Sequence, residues 1–309
     1  VPLAAARDLK GIPMFSDENL EKGTNRRSLL RNAGLGAAAL GGLTIGLPKL
    51  AQAQTADEDV AILNFALNLE YLEAEFYLMA VRGHGLTAAD STGTGGNPGY
   101  VNGGAKVNFS SKYVKAYAAE IANDELNHVL FLRSALGSMA VARPAINLNQ
   151  SFTTLARAAG VVGPNASFNP FLNDETFLLG AFIFEDVGVT AYNGAGASIT
   201  NKSYLTAATS ILAVEAYHAS LVRLLLSQMN LAGPADKISK LRAALSAAIV
   251  SGAGDDEGIT TGGKTTLVPT DVNSLAYART PDQVLNIVYG GGASSDYLFF
   301  PNKMNGTLS

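Results

Sequence analysis

Two apolar stretches of this chain, "ANDELNHVLFLRSAL" and "AVEAYHASLVRLLL", carry the same polar residues in the same register: Glu125, His128 and Arg133 in the first, Glu215, His218 and Arg223 in the second. Only three histidines occur in 309 residues, so two of them share one repeated phrase. Residues three apart on an α-helix lie on one face and reach the same point beside it. The phrase therefore calls for two long helices, each carrying a carboxylate and an imidazole into apolar surroundings.

A second repeat accompanies the first. "LEYLEAEFY" places Glu70 seven residues before Tyr77, and "FEDVGVTAY" places Glu185 seven before Tyr192. Each half of the chain thus reads Glu-x6-Tyr on one helix and Glu-x2-His-x4-Arg on the next. One Glu-x-x-His on an exposed helix is ordinary surface chemistry. Two copies in apolar helices, each preceded by a glutamate helix, supply four carboxylates and two imidazoles, the known ligand set of dinuclear sites in helical bundles. Such a set suits two first-row ions, iron or manganese.

Charge gives a separate argument. Four ionised glutamates in a core would each cost several kcal/mol if left unpaired, and two divalent cations cancel their sum. Arg133 and Arg223 follow the histidines by five residues, about 140° round the helix, and are expected to pair with other carboxylates or solvent. The chain has no cysteine, which removes disulfides, thiolate nucleophiles and sulfur-ligated metals together. A formal net charge of -4 without a basic cluster in the body excludes the usual nucleic-acid surface.

Other polar residues near the repeat carry milder expectations. Tyr77 and Tyr192 read as core aromatics or as hydroxyls bonded to ligand carboxylates. Glu73 stands one turn beyond Glu70 and aligns with Gly188 in the repeat, which suits an added ligand or a proton carrier. Gly188 and Ala181, one turn either side of Glu185, are expected to leave room for a small substrate. Asp124, Asp186 and Glu75 are expected in solvent, and His84, after a helix-ending glycine, at the surface.

The periodicity places helices over about 55–83, 110–136, 173–195 and 203–229, with a fifth, shorter helix over 235–250. Thr55 and Glu58 read as a capping box for the first, and Asn173 as the cap of the third. The first two helices are joined by a glycine-rich loop and the middle pair by a long crossover, residues 138–173. Together they form an all-α, antiparallel four-helix bundle in which the crossover returns the chain along the bundle's length. Residues 251–309 form an irregular extension with one short helix capped by Thr280 and started by Pro281. Its phrase "SDYLFFP" calls for packing on the bundle or on a neighbour.

Residues 1–54 read as a separate arm. Arg26 and Arg27, the mildly apolar run over about 33–47 and the small-x-small triplet Ala51-Gln52-Ala53 resemble a twin-arginine export signal. The run is too short to span a bilayer. A periplasmic, secreted or cell-envelope destination follows as an expectation, with no transmembrane span.

The phrases "LNFALNLEYLEAEFY", "EIANDELNHVLFLRSALG", "FEDVGVTAY", "AVEAYHASLVRLLL" and "ARTPDQVLNIVYGG" together resemble the ferritin-like domain family that includes bacterial and plant desiccation-related proteins. The resemblance implies a ferritin-like bundle over about residues 57–230, with Glu70, Glu125, His128, Glu185, Glu215 and His218 as ligands of two metal ions. Two functions compete: redox chemistry on a small oxidant or Fe(II), and a structural, stress-protective role in which the extension mediates assembly. A homo-oligomer or envelope assembly is expected in either case.

Overall fold

The computed structural model describes residues 49–96, 98–292 and 297–309, with side chains from residue 57 onward. The Arg26-Arg27 segment and the apolar run after it lie outside the described residues. In chain order the elements are α1 (Lys49–Arg82), α2 (Ala88–Ser91), β1 (Val101–Gly103), α3 (Lys112–Leu136), β2 (Ile146–Leu148) and α4 (Gln150–Ala158). They continue with α5 (Asp174–Gly196), α6 (Lys202–Gln228), α7 (Ala232–Ala247), β3 (Thr260–Thr261), β4 (Lys264–Thr265) and α8 (Pro281–Val288).

The four long helices α1, α3, α5 and α6 make the all-α bundle. α1 packs along α3 and α5 along α6, whereas α3 and α6 meet at few points. By length and composition α6 is apolar enough to cross a membrane, yet it turns Glu215 and His218 into the bundle. The crossover between α3 and α5 is fastened by a short parallel ladder that pairs Val101 with Ile146, which ties the first loop to it.

The helix starts follow from local chemistry. Ser111 accepts from the Val114 amide, Asn201 from Ser203 and Tyr204, and Asn173 forms a reciprocal box with Thr176. Thr280 does the same with Gln283, with Pro281 at the first helical position. The expected cap at Thr55 is corrected: α1 runs back to Lys49, so the amides a cap would satisfy already have helical partners.

A repeat not read from the sequence holds the two halves together. Asp59 on α1 accepts from the amides of Thr200 and Asn201 ahead of α6, and Asp174 on α5 accepts from those of Ser110 and Ser111 ahead of α3. Each aspartate lies eleven residues before its half's glutamate, Glu70 or Glu185. Each thus anchors the start of the histidine helix of the other half.

The C-terminal extension packs on the chain's own bundle. Phe299 meets Phe152 and Phe184 edge-on, and Asn68 and Asn305 exchange hydrogen bonds of 2.8 and 3.0 Å. The backbone of Arg279 crosses α5 at Gly194, where a Cβ would lie 1.9 Å from the Arg279 carbonyl oxygen. Beneath it lies a buried ion network. Asp186 pairs with Arg223 at 2.8 Å and Arg242 at 2.6 Å, Asp256 with Arg242 and Arg279, and Asp255 with Arg279. Three guanidinium groups balance three carboxylates, and the network joins α5, α6 and α7 to the chain before α8. Asp186, expected in solvent, is therefore a core residue whose carboxyl is held below its usual range: burial opposes ionisation, and the two arginines outweigh it.

Removing one partner of such a network leaves a buried charge uncompensated. The Arg242→Ala variant is expected to lose about 3–5 kcal/mol of stability in denaturant titration, with the m-value unchanged. A loss below about 1 kcal/mol would place the network effectively in solvent.

Candidate metal centre

Each long helix contributes to one spot. α1 brings Glu70, α3 brings Glu125 and His128, α5 brings Glu185, and α6 brings Glu215 and His218; all six are buried, the glutamates to within 1% of complete. Both imidazoles turn Nδ1 inward. His128 Nδ1 lies 3.2 Å from Glu70, 3.5 Å from Glu125 and 3.5 Å from Glu215. His218 Nδ1 lies 3.1 Å from Glu125 and 3.6 Å from Glu185. Two ligand groups result: Glu70, Glu125, His128 and Glu215 in one, Glu125, Glu185 and His218 in the other.

The grouping differs from the simplest expectation, in which each Glu-x-x-His pair holds its own ion. Glu215 gathers with His128 on the facing helix, because a glutamate side chain is long enough to cross the bundle axis. Glu125 belongs to both groups, one oxygen towards each imidazole.

The tyrosines cross over in the same way. Tyr77 on α1 donates its hydroxyl hydrogen to Glu185 on α5, and Tyr192 on α5 donates to Glu70 on α1. Of the two readings left open by the sequence, the geometry selects hydroxyls bonded to the glutamates of the cluster. Arg133 and Arg223 also keep the repeat: Arg133 donates to the Tyr71 hydroxyl at 2.6 Å and Arg223 to Asp186, the residues that follow Glu70 and Glu185.

Gly188 makes room for a glutamate of the cluster. A Cβ there would lie 2.4 Å from Glu215 Oε2 and 3.5 Å from Glu73 Oε1, so a side chain at 188 would push Glu215 off the axis. Ala181 is fully buried. The space beside Glu185 is small: Glu215 occupies part of it, and Gly188 lines what remains. Glu73 stands outside both ligand groups and lines a small apolar cavity with Leu72, Ile183, Val187 and Phe299.

Two further expectations of solvation are corrected. Glu75 is buried and ion-paired with Arg143 of the crossover, because the loop after α1 folds over it and donates the Leu86 amide. Asp124 keeps 35% of its side chain exposed, but its Oδ2 lies 3.3 Å from His218 Nε2. The sequence signal for Asp124 is its place four residues before His128, on the flank of α3 that meets α6. His84 is at the surface.

Both oxygens of Glu125 and of Glu215, Oε2 of Glu185 and Nδ1 of His218 are buried with no hydrogen-bond partner. Buried polar atoms without partners are rare, and six in one cluster call for a missing counterpart. The separations of 3.1–3.6 Å between ring nitrogens and carboxylate oxygens bring them close without the alignment of a hydrogen bond. Donor atoms about 2.1 Å from a shared cation lie roughly 3.0–3.4 Å apart, so the cluster has the dimensions to hold metal.

Without cations the cluster is a store of protons. Burial pushes the Glu70 carboxyl up to about 8 despite His128 nearby, and burial with neighbouring carboxylates raises Glu73, Glu185 and Glu215. Glu125 goes the other way: burial opposes its ionisation, but the flanking imidazoles outweigh it. Against the pull of burial, Asp124 and the cluster glutamates raise His218 to about 11, and Glu70 and its neighbours raise His128.

For Glu70 and His218 the linkage has one sign. Glu70, raised from 4.5, and His218, raised from 6.5, hold protons in the folded metal-free chain that the unfolded chain releases. Their stabilisation is complete below 4.5 and 6.5 respectively and is lost as pH rises through about 8 and about 11. The metal-free chain is therefore expected to melt several degrees lower at pH 9 than at pH 5, and the metal-loaded chain to lose less. Thermal melts of both forms across this window check it; a metal-free melting point that rises with pH would contradict it.

A family model described as "Ferritin-like domain" matches residues 58–228. A "Ferritin-like catalase Nec2" from Nesocodon mauritianus is 28% identical over 274 residues, 82% of this chain and 85% of the relative. The "Desiccation-related protein PCC13-62" of Craterostigma plantagineum is 31% identical over 245 residues, 74% of this chain and 76% of the relative. No solved structure matches. The matched residues span all four bundle helices and all six clustered side chains, and the chain belongs to the ferritin-like domain family.

Proposed function

We propose that the chain holds two iron or manganese ions in this cluster and uses them for redox protection, with peroxide disposal as the leading activity and Fe(II) oxidation as the other. The observation that carries the reading is the set of buried, partnerless carboxylate oxygens facing two inward-turned imidazoles. The relative named a ferritin-like catalase supports peroxide as the substrate. Two such ions, held by Glu70, Glu125, His128 and Glu215 and by Glu125, Glu185 and His218, would supply the electrons for making or breaking an oxygen–oxygen bond.

The chain's own residues prepare that chemistry. Glu125 faces both ligand groups and couples them. Tyr77 and Tyr192 fix one oxygen of Glu185 and Glu70 by donated hydrogen bonds, leaving Glu185 Oε2 without a partner and Glu70 Oε2 beside His128 Nδ1. Burial and the surrounding carboxylates keep a proton on Glu73. Phe76 and Phe177 pack edge-on against Tyr77, with Phe184 behind Phe76, and exclude bulk water from that flank.

Export through the twin-arginine route is part of the proposal. That route moves folded proteins, so metal would be inserted in the cytoplasm, where availability rather than affinity selects it. The destination is the periplasm, the envelope or the medium, and a homo-oligomer is the proposed assembly. The alternative, a stress-protective structural protein, draws support from the desiccation-related relative. The extension's packing on its own bundle weighs against its serving as the assembly element.

Elemental analysis with peroxide turnover separates these readings. The parent chain is expected to carry about two transition-metal ions and to release dioxygen from peroxide. The Glu125→Ala, Glu215→Ala double variant is expected to carry almost no metal and show no turnover. Equal metal in both would remove the centre. A loaded parent inert towards peroxide and Fe(II) would leave the structural role.

A further inference from the structure

The glutamates of the cluster are at most 1% exposed, so any cation must enter through the bundle wall. The α1–α3 and α5–α6 flanks are closed by packing along the helices. The α1–α5 flank is covered over Glu73 by α8 and Phe299, and its two cavities, one over Glu73 and one beside Tyr192, each have about 10 Å³ open to water, room for a single molecule. The remaining flank, between α3 and α6, is where helix contact is sparse.

A groove of about 450 Å³ opens there. Tyr117, Glu120 and Asp124 of α3 line one side, and Tyr217, His218 and Ser220 of α6 the other. His218 forms its floor: Nδ1 faces the cluster, and Nε2 faces Asp124 at 3.3 Å. No lysine or arginine lines it. An ion with six waters takes about 180 Å³, counting about 30 Å³ for each water, which the groove admits and the cavity over Glu73 does not.

The internal repeat supplies another argument. Asp124 precedes Glu125 where the second half has Val214 before Glu215. The ligand pattern does not require an acid at that place; both positions line the groove, and Asp124 gives it a carboxylate on the α3 side.

We propose that the α3–α6 groove is the entry port for hydrated divalent cations, with Glu120 at its mouth and Asp124 beside His218 at its floor. This rests on the cluster being a metal centre. A cation is drawn between the two carboxylates, sheds water against them, and passes the His218 ring to the partnerless oxygens of Glu125 and Glu185. Glu120 and Val214 belong to the port and not to the ligand groups, so altering them should change rates without changing the centre.

Cobalt(II) is the probe, because its visible absorption reports arrival in the cluster. Metal-free full-length chain is mixed with cobalt(II) in a stopped-flow cell as parent, Glu120→Gln and Val214→Trp. Val214→Trp is expected to slow loading about tenfold or more and chelator-driven release by a similar factor; Glu120→Gln is expected to slow loading several-fold at low salt and less at high salt. Final stoichiometry and spectrum should match the parent's in both. Parent-like rates in both variants would overturn the port alone, as would an altered final spectrum, which would make these residues part of the centre's structure. A parent that takes up no cobalt would overturn the metal centre and the port with it.

Discussion

Carboxylates on the axis of an apolar bundle are stable only if something positive or a proton shares the space, since each uncompensated charge costs several kcal/mol. Here four glutamates and two histidines meet there, and most of their inward atoms have no hydrogen-bond partner. The surrounding structure serves that compensation. Tyrosines from opposite helices hold one oxygen of Glu70 and of Glu185, Gly188 lets Glu215 reach the axis, and Asp59 and Asp174 fix where the histidine helices begin. Protons occupy the cluster when cations do not, which couples metal binding to pH.

The two halves of the chain are similar at the cluster and different around it. Glu, Tyr, Glu, His and Arg recur in register, and even the partners of Arg133 and Arg223 occupy matching places. The departures fall on opposite flanks. Glu73 faces Gly188 on the closed side, and Asp124 replaces the valine of the other half on the open side. The first departure sets an extra carboxyl near the cluster, and the second gives one histidine a carboxylate behind it. Two ions in these ligand groups would therefore be inequivalent, with His218 backed by Asp124 and lining the groove.

Much of this was legible in the sequence because helical spacing is a strong constraint. A carboxylate and an imidazole three residues apart in an apolar helix can only point together, so the six cluster residues and the bundle followed from pattern alone. What pattern could not supply was contact between helices. Asp186 looked like a solvated neighbour of Glu185; Arg242 and Arg223, which bury it, come from two other helices. Glu75 looked exposed until the crossover brought Arg143 onto it. The exchange of Glu215 to His128 depends on where antiparallel helices cross, which side-chain periodicity does not encode. The Asp59 and Asp174 anchors carried a readable signal, equal spacing from Glu70 and Glu185.

X-ray absorption at the metal edge of the loaded protein tests the shared centre most directly. The account predicts a first shell of oxygen with about one imidazole nitrogen per metal, and a metal–metal vector at roughly 3.5–4 Å. A shell of oxygen alone with no second metal within reach would mean that the ions sit elsewhere on the chain, and that protons alone neutralise the buried carboxylates.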